Sequence, residues 1–206
     1  DVSMEAVVIS KERGVICGTF VIDRLLETHY PSCSVEWKVS EGSIVEVGDE
    51  VLRISGNGVE MLRSERVLLN IIGRLSGIST NSSRWINEAG SMGVASTRKV
   101  DWGLLDKWAV HVGGGLTHRL SREDALMIKD SEVLSSRVGD ETEDEALARL
   151  VLEIDMDTNS SFTVIEVRDI EQALTVVGIW KSVQTEREGS ERVVVLLDNM
   201  GPVSVS

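Results

Sequence analysis

Four short apolar runs, each closed by a charged residue, recur through the second half of the chain: VAST before Arg98 and Lys99, ALMI before Lys129, TVI before Glu166, and VVVLL before Asp198. Counted from Lys99 the steps are 30, 37 and 32 residues, each about the length of a strand, a crossover helix and a returning strand. Right-handed crossovers make such strands parallel and carry their last residues to one end of the sheet. That end is where a β/α barrel gathers its chemistry. The sequence between the runs predicts helices over GLLDKWAV after Gly103, DEALARLVLEI behind a Thr142 cap, and IEQALTVVGIW behind Asp169. The acids from Asp140 to Glu145 suit a solvated helix start at the positive end of the helix dipole. Lys181 to Arg192 reads as an exposed connection.

The first half follows other periods. From Val7 to Ser55 apolar and polar residues alternate between glycine-marked turns, which predicts strands of an antiparallel, half-buried sheet. Hairpins of this kind also occur in lipoyl and biotinyl carriers, which present a lysine at a turn tip. Here the tips are Ser40–Glu41–Gly42 and Gly48–Asp49–Glu50, so a carrier is excluded. From Val59 to Ile78 the period becomes helical. Arg63, Arg66, Asn70 and Arg74 fall within roughly 80° of one another, and seven Leu and Ile residues cover most of the remaining surface. This predicts a largely buried helix with one cationic stripe. The stripe is either a solvated face or a surface aimed at an anion or a partner subunit.

Charge narrows the function classes. With 21 Lys and Arg against 34 Asp and Glu, the formal charge is −13 and the sequence pI about 4.7, which argues against a general electrostatic grip on nucleic acid or anionic lipid. The longest apolar runs are short, and the N-terminus lacks a charged segment followed by an apolar block, so a soluble, unexported, cytoplasmic protein is expected. Two cysteines, Cys17 and Cys33, are too few for a disulfide framework. His29, His111 and His118 make no zinc-hydrolase pattern.

Within this acidic chain, residues 98–129 carry six Lys and Arg against four acids, a local charge of +2, so the remainder carries −15. Arg98, Lys99, His118, Arg119 and Lys129 are candidates to meet Arg66 around a ligand bearing several negative groups, since guanidinium geometry suits carboxylate and phosphate. Separate surface charges are the alternative. The glycines at 113–115 either admit a ligand close to the backbone or make a tight turn. Glu166 and Asp198, at the ends of consecutive predicted strands, are either oxygen ligands for hydrated magnesium carrying a phosphorylated substrate or ion-pair partners for the lysines.

The segments ERVLLNIIGRLSGIST, STRKVDWGLLDKWAVHVGGGLTHRL, ALMIKD, VIEV and VLLDNM, in this order, resemble quinolinate phosphoribosyltransferase, the carboxylating nicotinate-nucleotide pyrophosphorylase family. The likeness covers nearly the whole sequence, including GVICG and the EW hairpin of the first half. It implies an N-terminal open β-sandwich-like α+β domain over residues 1–68, followed over 69–206 by a parallel β/α barrel of the type II phosphoribosyltransferase kind. The implied reaction moves phosphoribosyl from PRPP to quinolinate, with loss of pyrophosphate and carbon dioxide, giving nicotinate mononucleotide for NAD synthesis. Under that resemblance Arg98, His118 and Arg119 recognise the quinolinate carboxylates, and Lys99 and Lys129 contact PRPP or its pyrophosphate. Glu166 and Asp198 stand on the magnesium and ribose side, holding Mg2+ indirectly, and no organic cofactor is required. Arg66 matches the arginine that the family donates into a neighbouring subunit's site, which implies a homodimer or higher homo-oligomer.

The sequence departs from the family pattern in three places. TRKT reads TRKV, with Val100 in place of a hydroxyl. IKDNH reads IKDSE, which sets Ser131 and acidic Glu132 beside a rim expected to hold polyanions. The chain ends at Ser206, soon after LDNM and ahead of the family's glycine-rich phosphate loops, so the barrel is expected to be cut short there. Two other readings stay open: a related pyrophosphorylase-like protein with another acceptor, and a non-catalytic binding or assembly homologue.

Overall fold

A computed structural model describes residues 2–120, 124–155 and 162–201. The chain forms two compact units, Asp1–Leu120 and Ser121–Ser206.

In the first unit β1 (Ser3–Ile9), β5 (Glu50–Asn57) and β3 (Ser34–Trp37) form an antiparallel sheet in the order β1-β5-β3. The short β2 (Gly14–Val15) pairs with β4 (Ile44–Val45). The alternation read from the sequence is only partly realised in β5: Leu52 and Ile54 are buried in a core with Ile22, Leu26, Met61, Leu68 and Ile72, but adjacent Val51 is buried there as well. One element departs from the all-strand reading of this region: α1 (Thr19–His29) is a helix. Its first turn has no side-chain cap of its own. The Glu41 carboxylate, from a distant turn, accepts from the Gly18 and Thr19 backbone N–H groups at 2.9–3.0 Å. Burial pushes the Glu41 carboxyl up, but these N–H groups and the Trp108 indole outweigh it and leave its pKa below the ordinary value.

Helix α2 (Gly58–Ala89) starts at Asn57, whose side chain accepts from Val59 N and Glu60 N. It runs a further three turns past the predicted end, and it continues through residues 68 and 69, where the domain boundary was expected. The helix is not largely buried. Met61, Ser64, Leu68, Ile72, Leu75 and Ser79 form one buried stripe, while Val59, Leu62 and Val67 are exposed, so the inward face is narrow. Helix α3 (Leu104–Val112) packs on α2 through Leu75 and Ala109, and the Ser79 hydroxyl donates to the Ala109 carbonyl at 2.6 Å.

The second unit holds the parallel strands β6 (Leu126–Ile128), β7 (Thr163–Val167) and β8 (Val193–Leu197), in the order β6-β7-β8. Between them lie α4 (Asp130–Ser136), α5 (Glu143–Leu152) and α6 (Ile170–Glu186). Thr142 caps α5 through Glu145 N, and Asp169 caps α6 through Gln172 N, both as the sequence indicates. The acidic run does begin a helix, with Glu143, Asp144 and Glu145 in the first turn. Helix α6 runs on to Glu186, so the first part of the expected connection from Lys181 is helical. The first of the four predicted strands is reduced to an isolated parallel bridge between Ala95 and Leu116. Among the described residues no helix is long and apolar enough to cross a membrane.

Candidate active site

In the second unit, strand register decides which side chains meet. Ile128 pairs with Ile165, so Lys129 lies level with Glu166. Glu166 in turn pairs with Leu196, two residues before Asp198. Since side chains alternate along a strand, Lys129, Glu166 and Asp198 share one face at the C-terminal end of the sheet. Ile128, Ile165, Val167 and Val195 occupy the opposite face and pack with Leu147, Val151, Val176 and Trp180 of α5 and α6.

The Lys129 Nζ stands 4.0 Å from Glu166 Oε2, with the glutamate side chain only 12% exposed. At that distance the contact is one of charge rather than a hydrogen bond. Burial pushes the Glu166 carboxyl up; Lys129 pulls it down, and the negative charges of Asp198, Asp130 and Glu132 push it up further. Such a gathering of negative charge favours a cation. Among the described residues no group of three His, Cys, Asp or Glu side chains is set to hold a metal ion. Two carboxylates nevertheless suit magnesium, a hard ion that keeps several waters and takes one or two protein carboxylates together with substrate phosphate. The Glu132 carboxylate is turned back on its own helix, where it accepts from Lys129 N at 3.1 Å and the Ser131 hydroxyl at 3.0 Å. This departure from the family pattern therefore acts as the cap of α4.

In the first unit the two basic segments are brought together by backbone. Ser96 N donates to Leu116 O at 2.9 Å and Leu116 N to Val94 O at 2.8 Å, so the chain leading to Arg98–Lys99 runs beside the chain leading to His118–Arg119. Arg98 and Lys99 are exposed, and His118 and Arg119 are half-buried. Beneath them lies Lys107 of α3, only 3% exposed. Its ammonium donates to Ser96 O at 3.2 Å, Ser96 Oγ at 2.9 Å, Thr117 O at 3.2 Å and His118 O at 3.1 Å. Burial, and secondarily the charge of Arg98, lowers its pKa. Val100 is half-buried and donates its N–H to Arg98 O at 3.1 Å. Arg122 and Glu123, counted in the basic segment, lie outside the described residues.

The glycine triplet supplies the turn between α3 and His118. A Cβ on Gly113 would stand 2.4 Å from the Ser79 carbonyl oxygen of α2, and Gly114 adopts φ +91°, a conformation L side chains rarely take. Gly113 thus serves close packing against α2, and Gly114 serves the turn.

The cationic stripe of α2 divides. Arg63 and Arg66 are exposed, as a partner-facing role would need. Arg74 is instead drawn inward: its guanidinium donates to Asp106 at 2.8 and 3.0 Å and to Asp101 at 3.1 Å, and it lies 4.9 Å from the Trp102 ring centre. Asp106 also accepts from Asp101 N and Trp102 N at 3.0 Å. The Arg74 guanidinium holds its carboxyl below the usual aspartate range, against the upward push of burial. Sequence reasoning singled out neither Asp106 nor Lys107. The one hint was an adjacent opposite-charge pair among the apolar residues of a nine-residue helix that also carries His111, too weak to give either residue a role.

Residues 1–76 match the family described as quinolinate phosphoribosyl transferase, N-terminal domain, and residues 78–206 match the corresponding C-terminal domain. The chloroplastic nicotinate-nucleotide pyrophosphorylase [carboxylating] of Arabidopsis thaliana is 34% identical over 209 residues, covering 97% of this chain and 56% of the relative. The chain thus spans about half the length of the curated relatives it matches. Among solved structures, NadC from Streptococcus pyogenes aligns over 98% of this chain and 68% of its own, at 26% identity and a TM-score of 0.74. The nicotinate-nucleotide pyrophosphorylase of Francisella tularensis aligns over 100% of this chain and 76% of its own with a TM-score of 0.76; at 21% identity it supports the fold alone.

Proposed function

This chain belongs to the quinolinate phosphoribosyl transferase family, and from that premise we propose that it carries the transfer of phosphoribosyl from PRPP to quinolinate, with decarboxylation to nicotinate mononucleotide in the cytoplasm. The observation that carries the proposal is the pairing of Arg98–Lys99 with His118–Arg119 by the Ser96 and Leu116 backbone bonds. A strongly acidic protein gains little from gathering cations unless they meet anions, and both reactants are anions that repel each other without compensation.

The roles follow from residue chemistry. Arg98, His118 and Arg119 bind the two quinolinate carboxylates, the arginines through paired N–H donors. Lys99 and Lys129 neutralise the pyrophosphate of PRPP and hold it as negative charge develops on leaving. Glu166 and Asp198 face the ribose, where their carboxylates balance the positive charge that grows on the sugar ring. Magnesium bound with PRPP would be held by the same two carboxylates, largely through water, and would supply further charge neutralisation to the leaving pyrophosphate. Once the ring nitrogen is bonded to ribose, its positive charge accepts the electrons that carbon dioxide leaves behind. Exposed Arg66 is assigned to a neighbouring protomer's site in a homodimer.

The test is pyrophosphate release assayed with quinolinate, PRPP and magnesium, each omitted in turn. Release is expected only with all three, and is expected to collapse in Lys99→Ala. A folded protein that releases none at saturating reactants would overturn the proposal.

A further inference from the structure

Buried ammonium groups in proteins are nearly always paired with a carboxylate. Lys107 is buried to 3% exposure, yet among the described residues its partners are three backbone carbonyls and one hydroxyl, with no acid. Neighbouring Asp106 is turned away to Arg74 and to the backbone of Asp101 and Trp102. Neutral dipoles solvate the ammonium, but its charge is left over.

The positions of the four acceptors are informative. Ser96 lies two residues before Arg98, Thr117 just before His118, and the fourth acceptor is the carbonyl of His118 itself. A single side chain from α3 thus takes hold of both segments that carry the candidate carboxylate binders, and helix α3 is anchored in turn by its packing on α2. We infer that Lys107 is a positioning residue for the dicarboxylate substrate: its ammonium fixes the Arg98 and His118–Arg119 segments relative to one another and backs them with a positive charge that a bound dianion compensates. The inference rests on the proposed function, because it takes the ligand of these segments to be quinolinate. The proximity of Arg98 that helps lower the Lys107 pKa agrees with two cations held close together in want of an anion.

Fixing the recognising groups in advance removes an ordering cost from binding, so the effect belongs to quinolinate affinity rather than to affinity in general. The experiment is calorimetric titration of the protein with quinolinate alone and with PRPP alone, for wild type, Lys107→Met and Ser96→Ala, with the thermal midpoint of each. Lys107→Met is expected to weaken quinolinate binding about tenfold or more and PRPP binding by a smaller factor, about threefold, because Lys99 alone of the residues assigned to PRPP lies in these segments. Ser96→Ala removes one acceptor of four and is expected to weaken quinolinate about threefold without unfolding, which keeps the test decisive if the methionine variant does not fold. Equal binding of quinolinate by wild type and a folded variant, or equal loss for both ligands, would overturn the positioning role while leaving the proposed function standing. Failure of wild type to bind quinolinate would overturn both.

Discussion

In residues 1–120 the basic segments are tied into the interior, whereas in residues 121–206 the candidate site charges Lys129, Glu166 and Asp198 stand at the ends of three strands with few bonds of their own. Lys107, from a buried position, shares its three N–H groups among four acceptors, and Asp106 accepts four hydrogen bonds. Lys129 and Glu166 meet only at 4.0 Å, with the lysine side chain 47% exposed. The contrast teaches that the same residue types are held in two ways. The segments proposed to recognise a planar dicarboxylate have their backbone fixed by the fold, and Lys99 shares that support, while the strand-end groups Lys129, Glu166 and Asp198, proposed to meet PRPP and magnesium, are left to be ordered by what they bind. Removal of a buried charge such as Asp106 should therefore cost stability in the first unit, and removal of a strand-end charge such as Lys129 should cost chiefly function in the second.

The largest effect expected is on function. Arg98→Ala should lower quinolinate-dependent turnover by about 10²–10³-fold, the scale for removing a preorganised charge-stabilising donor, read from steady-state rates. Next, Asp106→Ala should destabilise the protein by about 3 kcal/mol, because it strips a buried carboxylate from Arg74 and two backbone donors; urea denaturation measures it. Gly113→Ala should cost about 1–3 kcal/mol by forcing α2 and the triplet apart. A smaller, pH-dependent signal should accompany Asp106. Its pKa is lowered on folding, so its stabilisation is complete above about pH 3.9, the unfolded aspartate value, and is lost as pH falls through the folded value. Asp106→Asn should flatten the stability curve in that acid window. The smallest change in stability is expected in the second unit, where Lys129→Met should alter it by less than about 0.5 kcal/mol while abolishing most turnover. A large loss of stability there would break the contrast.

Much of this arrangement is legible in the sequence, and the parts that are not have physical reasons. Strands β6 to β8 and helices α3, α5 and α6 announce themselves through apolar period and local caps such as Thr142 and Asp169. Helix α1 does not, because its N-terminal partner is Glu41, more than twenty residues away in sequence. Helix α4 is seven residues long, too short to show a period. The VAST segment has the composition of a strand, but the Ala95–Leu116 bridge is its only pairing among the described residues. The candidate site residues could be named from ordered motifs, and Glu166 with Asp198 from strand ends alone. Lys107 could not, since a lysine on a short helix reads as a solvated charge until the loops that close over it are seen.

The proposed role of these cations is to serve a reaction whose acceptor is a pyridine dicarboxylate. It is tested most directly by the ratio of carbon dioxide to pyrophosphate released from PRPP with quinolinate, with nicotinate as the comparison acceptor. One carbon dioxide for each pyrophosphate with quinolinate, and negligible release of either with nicotinate, is the predicted result. Pyrophosphate released without carbon dioxide, or nicotinate accepted as readily as quinolinate, would contradict it.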